Sequence, residues 1–286
     1  MSAYQIITDS GCDLPENMLQ QLDVKMVSLT LRFKGQERED SVSQGMQELY
    51  AGLRAGEVAS TAAVNPEGWG SAMEPFLQEE KDVLVLAFSS GLSTTYQSAV
   101  IAAEELQERY PQRSIRVVDT LAASMGQGML VYLACQKRDE GMQLQQLADW
   151  VEENKFRLCH WFTVDDLMYL KRGGRVGTAS AVVGTMLGIK PVLNVDNEGH
   201  LVPAEKARGR KASIEALAEK YKQLALPEQK TAFISHGDCE KDAVYLEKLL
   251  KGRCGAENVV IGYVGAVIGS HAGPGTLALF FLGEKR

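Results

Sequence analysis

The sequence predicts an α/β protein of two domains. The N-terminal domain is a mostly parallel sheet in a three-layer α/β/α arrangement over residues 1–157, and the C-terminal domain, residues 158–286, is mixed α/β. Three observations lead there. Short apolar runs at Tyr4–Thr8, Val83–Phe88 and Ser114–Val118 alternate with helical stretches, the pattern of strands buried on both faces. Beyond residue 157 the pattern changes: Pro191–Val195 and His200–Lys206 flank Asp196-Asn-Glu-Gly199, which is hairpin chemistry. At 286 residues the chain is long for one domain and comfortable for two.

The first strand, Tyr4–Thr8, runs into Asp9-Ser-Gly-Cys-Asp13, a turn rich in capping residues. The helix that follows has Pro15 at its first position, where a missing N–H costs nothing. Val24–Phe33 alternates and reads as one strand; Ser43–Arg54 reads as a helix capped by Ser43. Ser60–Pro66 reads as a loop of small residues leading into another helix. The strand at Val83–Phe88 is followed by Ser89-Ser-Gly and a helix with Ser93 as N-cap, whose Tyr96, Val100 and Ala103 share one face. Leu121–Arg138 is a long helix, and another lies near Leu144–Asn154. In the second half, Leu158–Val164 is a strand, and Asp165 caps the helix bearing Leu167, Met168 and Leu170. Lys171-Arg-Gly-Gly-Arg175 is a basic turn, and Thr178–Gly188 an apolar helix of small residues suited to a core or to the wall of a narrow tunnel. After the hairpin come a helix (Lys211–Leu224), a strand (Thr231–Ser235), a helix (Glu240–Lys251) and a strand (Asn258–Val264). A glycine-rich loop at Gly265–Gly275 leads to a final strand, Thr276–Leu282.

Composition narrows the function classes. A net charge of −7 argues against general nucleic-acid binding, which needs a basic footprint. The five cysteines contain no C-x-x-C pair and only 4 histidines accompany them, so neither a zinc site nor any other metal or cofactor is expected. No apolar run approaches membrane-spanning length and no apolar leader precedes the first strand, so a cytoplasmic protein with reduced thiols is expected.

Ligands of such sheets bind beyond the carboxyl ends of the strands. Ser89, Ser90, Ser93, Thr94 and Thr95 stand there at a helix start, where unpaired N–H groups and the positive dipole end suit a carboxylate or phosphate. An ordinary capped turn explains the same residues. Thr61 is placed at the same rim. His271, within Ser270-His-Ala-Gly-Pro-Gly275, sits in a loop that brings backbone close to something. Its imidazole suits a carboxylate, and a structural histidine is the alternative. The stretch Lys171–Lys211 carries eight basic residues against three acids, a positive patch that suits a phosphate-bearing ligand, an acidic partner or only solvent. A serine-hydrolase reading with Ser93 as nucleophile and His271 as base is the main competitor. However, Gly91-Leu-Ser-Thr-Thr95 lacks the second glycine of G-x-S-x-G. No G-x-x-x-x-G-K-[ST] or G-x-G-x-x-G phosphate loop occurs.

Five segments, taken together and in order, resemble the bacterial DegV family: Ser89-Ser-Gly-Leu-Ser-Thr-Thr-Tyr-Gln-Ser98, Leu170-Lys-Arg-Gly-Gly-Arg175, Gly188-Ile-Lys-Pro-Val192, Lys206-Ala-Arg-Gly-Arg210 and Gly269-Ser-His-Ala-Gly-Pro-Gly275. The resemblance runs from Thr8-Asp-Ser to the last strand. It implies a carrier subunit of a bacterial fatty acid kinase: a long-chain fatty acid held between the two domains, its carboxylate at the interface and its chain in a tunnel. A separate kinase subunit phosphorylates the carboxylate, and the carrier keeps the acyl phosphate without catalysing anything alone. By position, the resemblance assigns the head group to Thr61, Ser93, Thr94, Arg208 and His271, and the kinase-docking surface to Arg172 and Arg175. The family's Thr-Ser-Gln-Pro loop is here Thr61-Ala-Ala-Val-Asn-Pro66, which keeps the threonine and loses its polar neighbours, and Thr94 replaces a common glycine, narrowing the entrance. The physics is compatible: a buried carboxylate needs hydrogen bonds or a charge partner. The chain would contribute about 0.8 kcal/mol per buried methylene, before ordering costs.

Overall fold

The computed structural model describes residues 4–42, 45–176, 188–228 and 230–286. Its first sheet contains β1 (Tyr4–Asp9), β2 (Val24–Val27), β6 (Asp82–Ala87) and β7 (Ile115–Asp119), all parallel in the order β2-β1-β6-β7. Strand period two sorts its apolar residues between two layers. Ile7, Val83 and Val85 pack with Trp69, Met73, Ala99 and Ala102 of α3 (Pro66–Gln78) and α4 (Thr95–Arg109). Ile6, Leu84 and Leu86 face α5 (Met125–Asp139) and α6 (Leu144–Asn154), through Met129, Leu130, Leu147 and Val151.

The second sheet contains β8 (Leu158–Thr163), β9 (Ile189–Val195), β10 (Leu201–Arg208), β11 (Thr231–His236), β12 (Asn258–Tyr263) and β13 (Leu277–Leu282), in the order β10-β9-β8-β13-β11-β12. Only the β11–β12 pair is parallel. One face packs on α8 (Arg210–Leu224) and α9 (Glu240–Arg253) through Ile234, Leu279, Phe281, Leu217 and Leu250. Residues of the other face, Leu158, Phe162, Phe233 and Phe280, belong to the same apolar cluster as α5 and α6. Helix α5 is therefore a wall common to both sheets, and its residues Met125–Val131 are all buried. The mixed α/β architecture agrees with the sequence. Among the described strands, the second sheet begins at Leu158, and we propose residue 157 as the domain limit on that ground.

Several elements differ from the sequence expectation. Val24–Phe33 is two strands in different sheets, because Leu29 breaks the ladder: its N–H donates to Ser10 Oγ (3.0 Å) and its carbonyl accepts from Asp40 N (2.8 Å). The second piece, β3 (Thr30–Phe33), joins β4 (Gln36–Glu39) and β5 (Ala59–Ala62) in a small antiparallel sheet, so Thr61 stands on a strand and not in a loop. That sheet and α2 (Met46–Arg54) enclose Leu31, Phe33, Leu49 and Tyr50 against Ala266. Ser43, read as a cap, and the helix read at Thr178–Gly188 lie outside the described residues, apart from Gly188 itself. The long helix read at Leu121 begins four residues later, at Met125, since Leu121 and Ser124 hold positive φ of 49° and 55°. The cap read at Asp165 is made by Asp166, whose Oδ1 accepts from Met168 N (2.8 Å) at the start of α7 (Met168–Arg172); Asp165 pairs instead with Lys190. Gly265–Gly275 is not all loop, since Ala266–Ala272 forms α10 with His271 in its last turn.

Candidate functional site

A cavity of about 480 Å³ lies where the carboxyl ends of the first sheet meet the second sheet and α10. That volume falls within the ordinary range for small-molecule sites. The β6–α4 turn contributes Ser93 and Thr94, β5 contributes Thr61, α10 contributes His271, and the α5 face of the second sheet contributes Phe162, Ala278 and Phe280. The hairpin adds Val195 and Leu201. Most of the wall is apolar; one group of polar side chains lies at the Thr61–His271 side, and a second, Ser124, His160 and Ser235, lies where α5 faces the second sheet.

The turn after β6 is fixed by hydrogen bonds. Asp9 accepts from Gly11 N (3.0 Å) and Phe88 N (2.8 Å), joining the ends of β1 and β6. Burial raises its carboxyl to about 7 against those bonds. Ser89 Oγ donates to the Gly199 carbonyl of the hairpin turn (3.0 Å). Gly91 is required beside it, since a methyl there would come within 2.7 Å of the Glu198 carbonyl oxygen. Ser93 Oγ accepts from Thr95 N (3.2 Å) and shares a proton with Thr95 Oγ1 (2.8 Å), while Thr94, the N-cap residue of α4, is exposed.

Across the cavity, His271 Nε2 lies 2.8 Å from Thr61 Oγ1, a hydrogen bond between groups 210 residues apart. Its other face packs on Gly173, where any side chain would collide with Nδ1. Burial, and then the positive charge of Arg175, lower His271 to about 4, so the imidazole is neutral at neutral pH. Arg175 is half-buried: its guanidinium donates to the Leu92 carbonyl (3.2 Å) and to the Gly173 carbonyl.

The structure thus brings Thr61, Ser93, Thr94 and His271 to one cavity. Arg175, which the resemblance places on the docking surface, is also in its wall, and nothing in the sequence beyond the glycine turn signals this. Arg172 is exposed, lies over the Tyr169 ring at 4.6 Å, and lines a second, adjoining cavity of about 270 Å³ together with Thr61, Arg175 and His271. Arg208 is exposed on the edge strand β10 and does not line either cavity. The hydrolase reading loses its geometry: Ser93 bonds Thr95 while His271 bonds Thr61, so no Ser93–His271 hydrogen bond links nucleophile and base among the described residues. None of the described residues form a cluster able to hold a metal ion, and no described helix is long and apolar enough to cross a membrane.

The fold and site are those of a two-domain α/β protein with a mostly apolar cavity that has hydroxyls, an imidazole and a guanidinium at one side. The chain belongs to the DegV family, whose model, described as "Uncharacterised protein, DegV family", matches residues 3–284. A DegV domain-containing protein of Clostridium perfringens is 43% identical over 289 residues, covering 100% of this chain and 99% of that one. Among solved structures, a fatty-acid-binding DegV family protein of Thermus thermophilus superposes with a TM-score of 0.89 at 33% identity, over 99% of this chain and 100% of that one. A DegV lipid-binding protein of Thermotoga maritima superposes with a TM-score of 0.86 at 29% identity, over 100% of both chains.

Proposed function

We propose that the protein binds one long-chain fatty acid in the 480 Å³ cavity, with the carboxylate at Thr61, Ser93 and His271 and the chain along the apolar wall. The observation that carries this is the Thr61–His271 hydrogen bond at one side of a mostly apolar cavity. Relatives of the same fold described as fatty-acid-binding support it. Arg175 supplies the charge partner. A carboxylate entering beside it meets a fixed cation and a neutral imidazole that can donate one hydrogen bond, while Thr61 and Ser93 add hydroxyls. Mass spectrometry of lipid extracted from purified protein tests the reading. A bound saturated or unsaturated fatty acid near one equivalent is the expected result; protein that neither carries nor takes up fatty acid would end it.

The bound carboxylate is then offered, in the cytoplasm, to a separate kinase subunit for phosphorylation to the acyl phosphate. The adjoining cavity supports this: it meets the first at Thr61, Arg175 and His271, and exposed Arg172 stands in its wall. It gives the carboxylate side a polar, cationic approach, while the protein has no phosphate loop of its own. Thr94 stands exposed at the start of α4 beside Ser93, narrowing access to the head group.

A further inference from the structure

The cavity has a second polar region that the carboxylate does not use. His160 stands on β8, only 2% exposed, in the cavity wall with Phe162 and Phe280. Neither of its ring nitrogens has a hydrogen-bond partner of normal geometry, and the polar contact the ring does make is a weak one with the Leu158 backbone of its own strand. Its ring meets Phe280 edge-on, with centroids 5.5 Å apart. Ser124 and Ser235 also line the cavity: Ser235 Oγ donates to Ser124 Oγ (2.9 Å), which in turn donates to the Asp13 carboxyl.

Strand register fixes how far this lies from the head group. Thr276 stands beside the end of α10, its hydroxyl bonded to the Ala272 and Gly273 carbonyls, one residue from His271. On the same sheet face, Phe162, Ala278 and Ser235 form the next row, and His160 and Phe280 the row beyond it. Four residues separate Thr276 from Phe280, about 13 Å at ~3.3 Å per residue. An acyl chain anchored at Thr61 and His271 therefore passes the imidazole around its middle.

An unpaired imidazole in an apolar wall is costly, whereas a phenylalanine or leucine there would simply extend the wall. Resting on the fatty-acid reading above, we propose that His160, with Ser235, is a specificity site for acyl chains bearing a mid-chain oxygen, a hydroxyl or a ketone. A neutral imidazole has one donor and one acceptor, which a hydroxyl matches in both directions and a ketone in one. Burial and then the charge of Arg286 hold His160 in that neutral form, well below its ordinary range, against the Leu158 backbone contact, which favours the charged form.

The test uses delipidated protein and two probes, stearate and stearate hydroxylated at carbon ten. Wild type should bind the hydroxy acid about tenfold more tightly, the effect of one buried hydrogen bond. His160→Phe should lose that preference and bind stearate as tightly or more tightly; His160→Gln, which keeps a donor and an acceptor, should retain part of it. Ser235→Ala should lower the same ratio, and it decides the matter should His160→Phe not fold. Equal ratios in wild type and variants would overturn the proposal and leave a buried water as the partner of His160. Failure of both acids to bind wild type would instead overturn the fatty-acid reading itself.

Discussion

Thr61 and His271 carry the polar side of the cavity, and each can be probed without altering its shape. Thr61→Val removes one hydroxyl at nearly constant volume. It should weaken fatty-acid binding by roughly 1–2 kcal/mol with little change in melting temperature, as read by titration calorimetry and thermal unfolding. His271 gives a pH signature. Its folded value of about 4 lies below the ordinary 6.5, so the stability it contributes is fully present above pH 6.5 and is lost as pH falls towards 4. Asp9, raised from 3.8 to about 7, acts in the opposite direction: its contribution is present below its ordinary value and lost as pH rises through 7. The difference between wild type and His271→Gln isolates the imidazole. Between pH 7.5 and 4.5 wild type should lose a few degrees (~2–4 °C) more of melting temperature than the variant. These two residues were legible in the sequence as chemistry, a threonine at a strand-end rim and a histidine among glycines, though not as partners. Nothing local says that residues so far apart meet at 2.8 Å. His160 was not legible at all, since a single polar residue in an apolar strand carries no mark of whether its neighbours satisfy it.

At the scale of elements, the site depends on how α7 and its basic turn lie against α10. Gly173 ends α7 and touches the His271 ring so closely that a methyl group would displace it. Gly173→Ala should therefore weaken fatty-acid binding several-fold while the protein still melts cooperatively, by fluorescence titration beside calorimetry. An equal affinity would show that the imidazole has room to move. The same turn explains why the sequence reads Arg175 as a surface residue: glycines beside cations ordinarily mark a solvated loop, but here the Gly173 and Leu92 carbonyls hold the half-buried guanidinium against the cavity. The two central strands of the first sheet, β1 and β6, were legible because strands buried on both faces read as continuous apolar runs, whereas β7, expected to be buried alike, is an edge strand with only Val118 buried. The small antiparallel sheet was not. Gln36-Glu-Arg-Glu39 and Ala59-Ser-Thr-Ala62 carry little apolar pattern, and β5 is paired only because β3 lies beside it.

For the molecule as a whole, Arg172 is the residue that would separate docking from binding under the proposed function. It is exposed and lines only the adjoining cavity, whereas Arg175 lines both cavities. Arg172→Glu should leave lipid affinity and melting unchanged and slow phosphorylation by the kinase subunit, more so at low ionic strength, since exposed charges mainly steer association. A loss of stability with normal phosphorylation would assign Arg172 to the C-terminal end of α7 and its stack on Tyr169 instead.

One helix wall shared by two sheets means that neither half of the chain owns a finished surface where they meet. A fragment ending at residue 157 would turn to water the side of α5 around Met125 and Gly126, which His160, Gly262 and Phe280 of the second sheet now cover. A fragment beginning at Leu158 would bare the matching sheet face. Such pieces should self-associate when expressed apart and recover a monodisperse form only when combined. Cutting the chain between the two sheets and rejoining it with a flexible linker is thus a safer way to make them independently movable than making either alone.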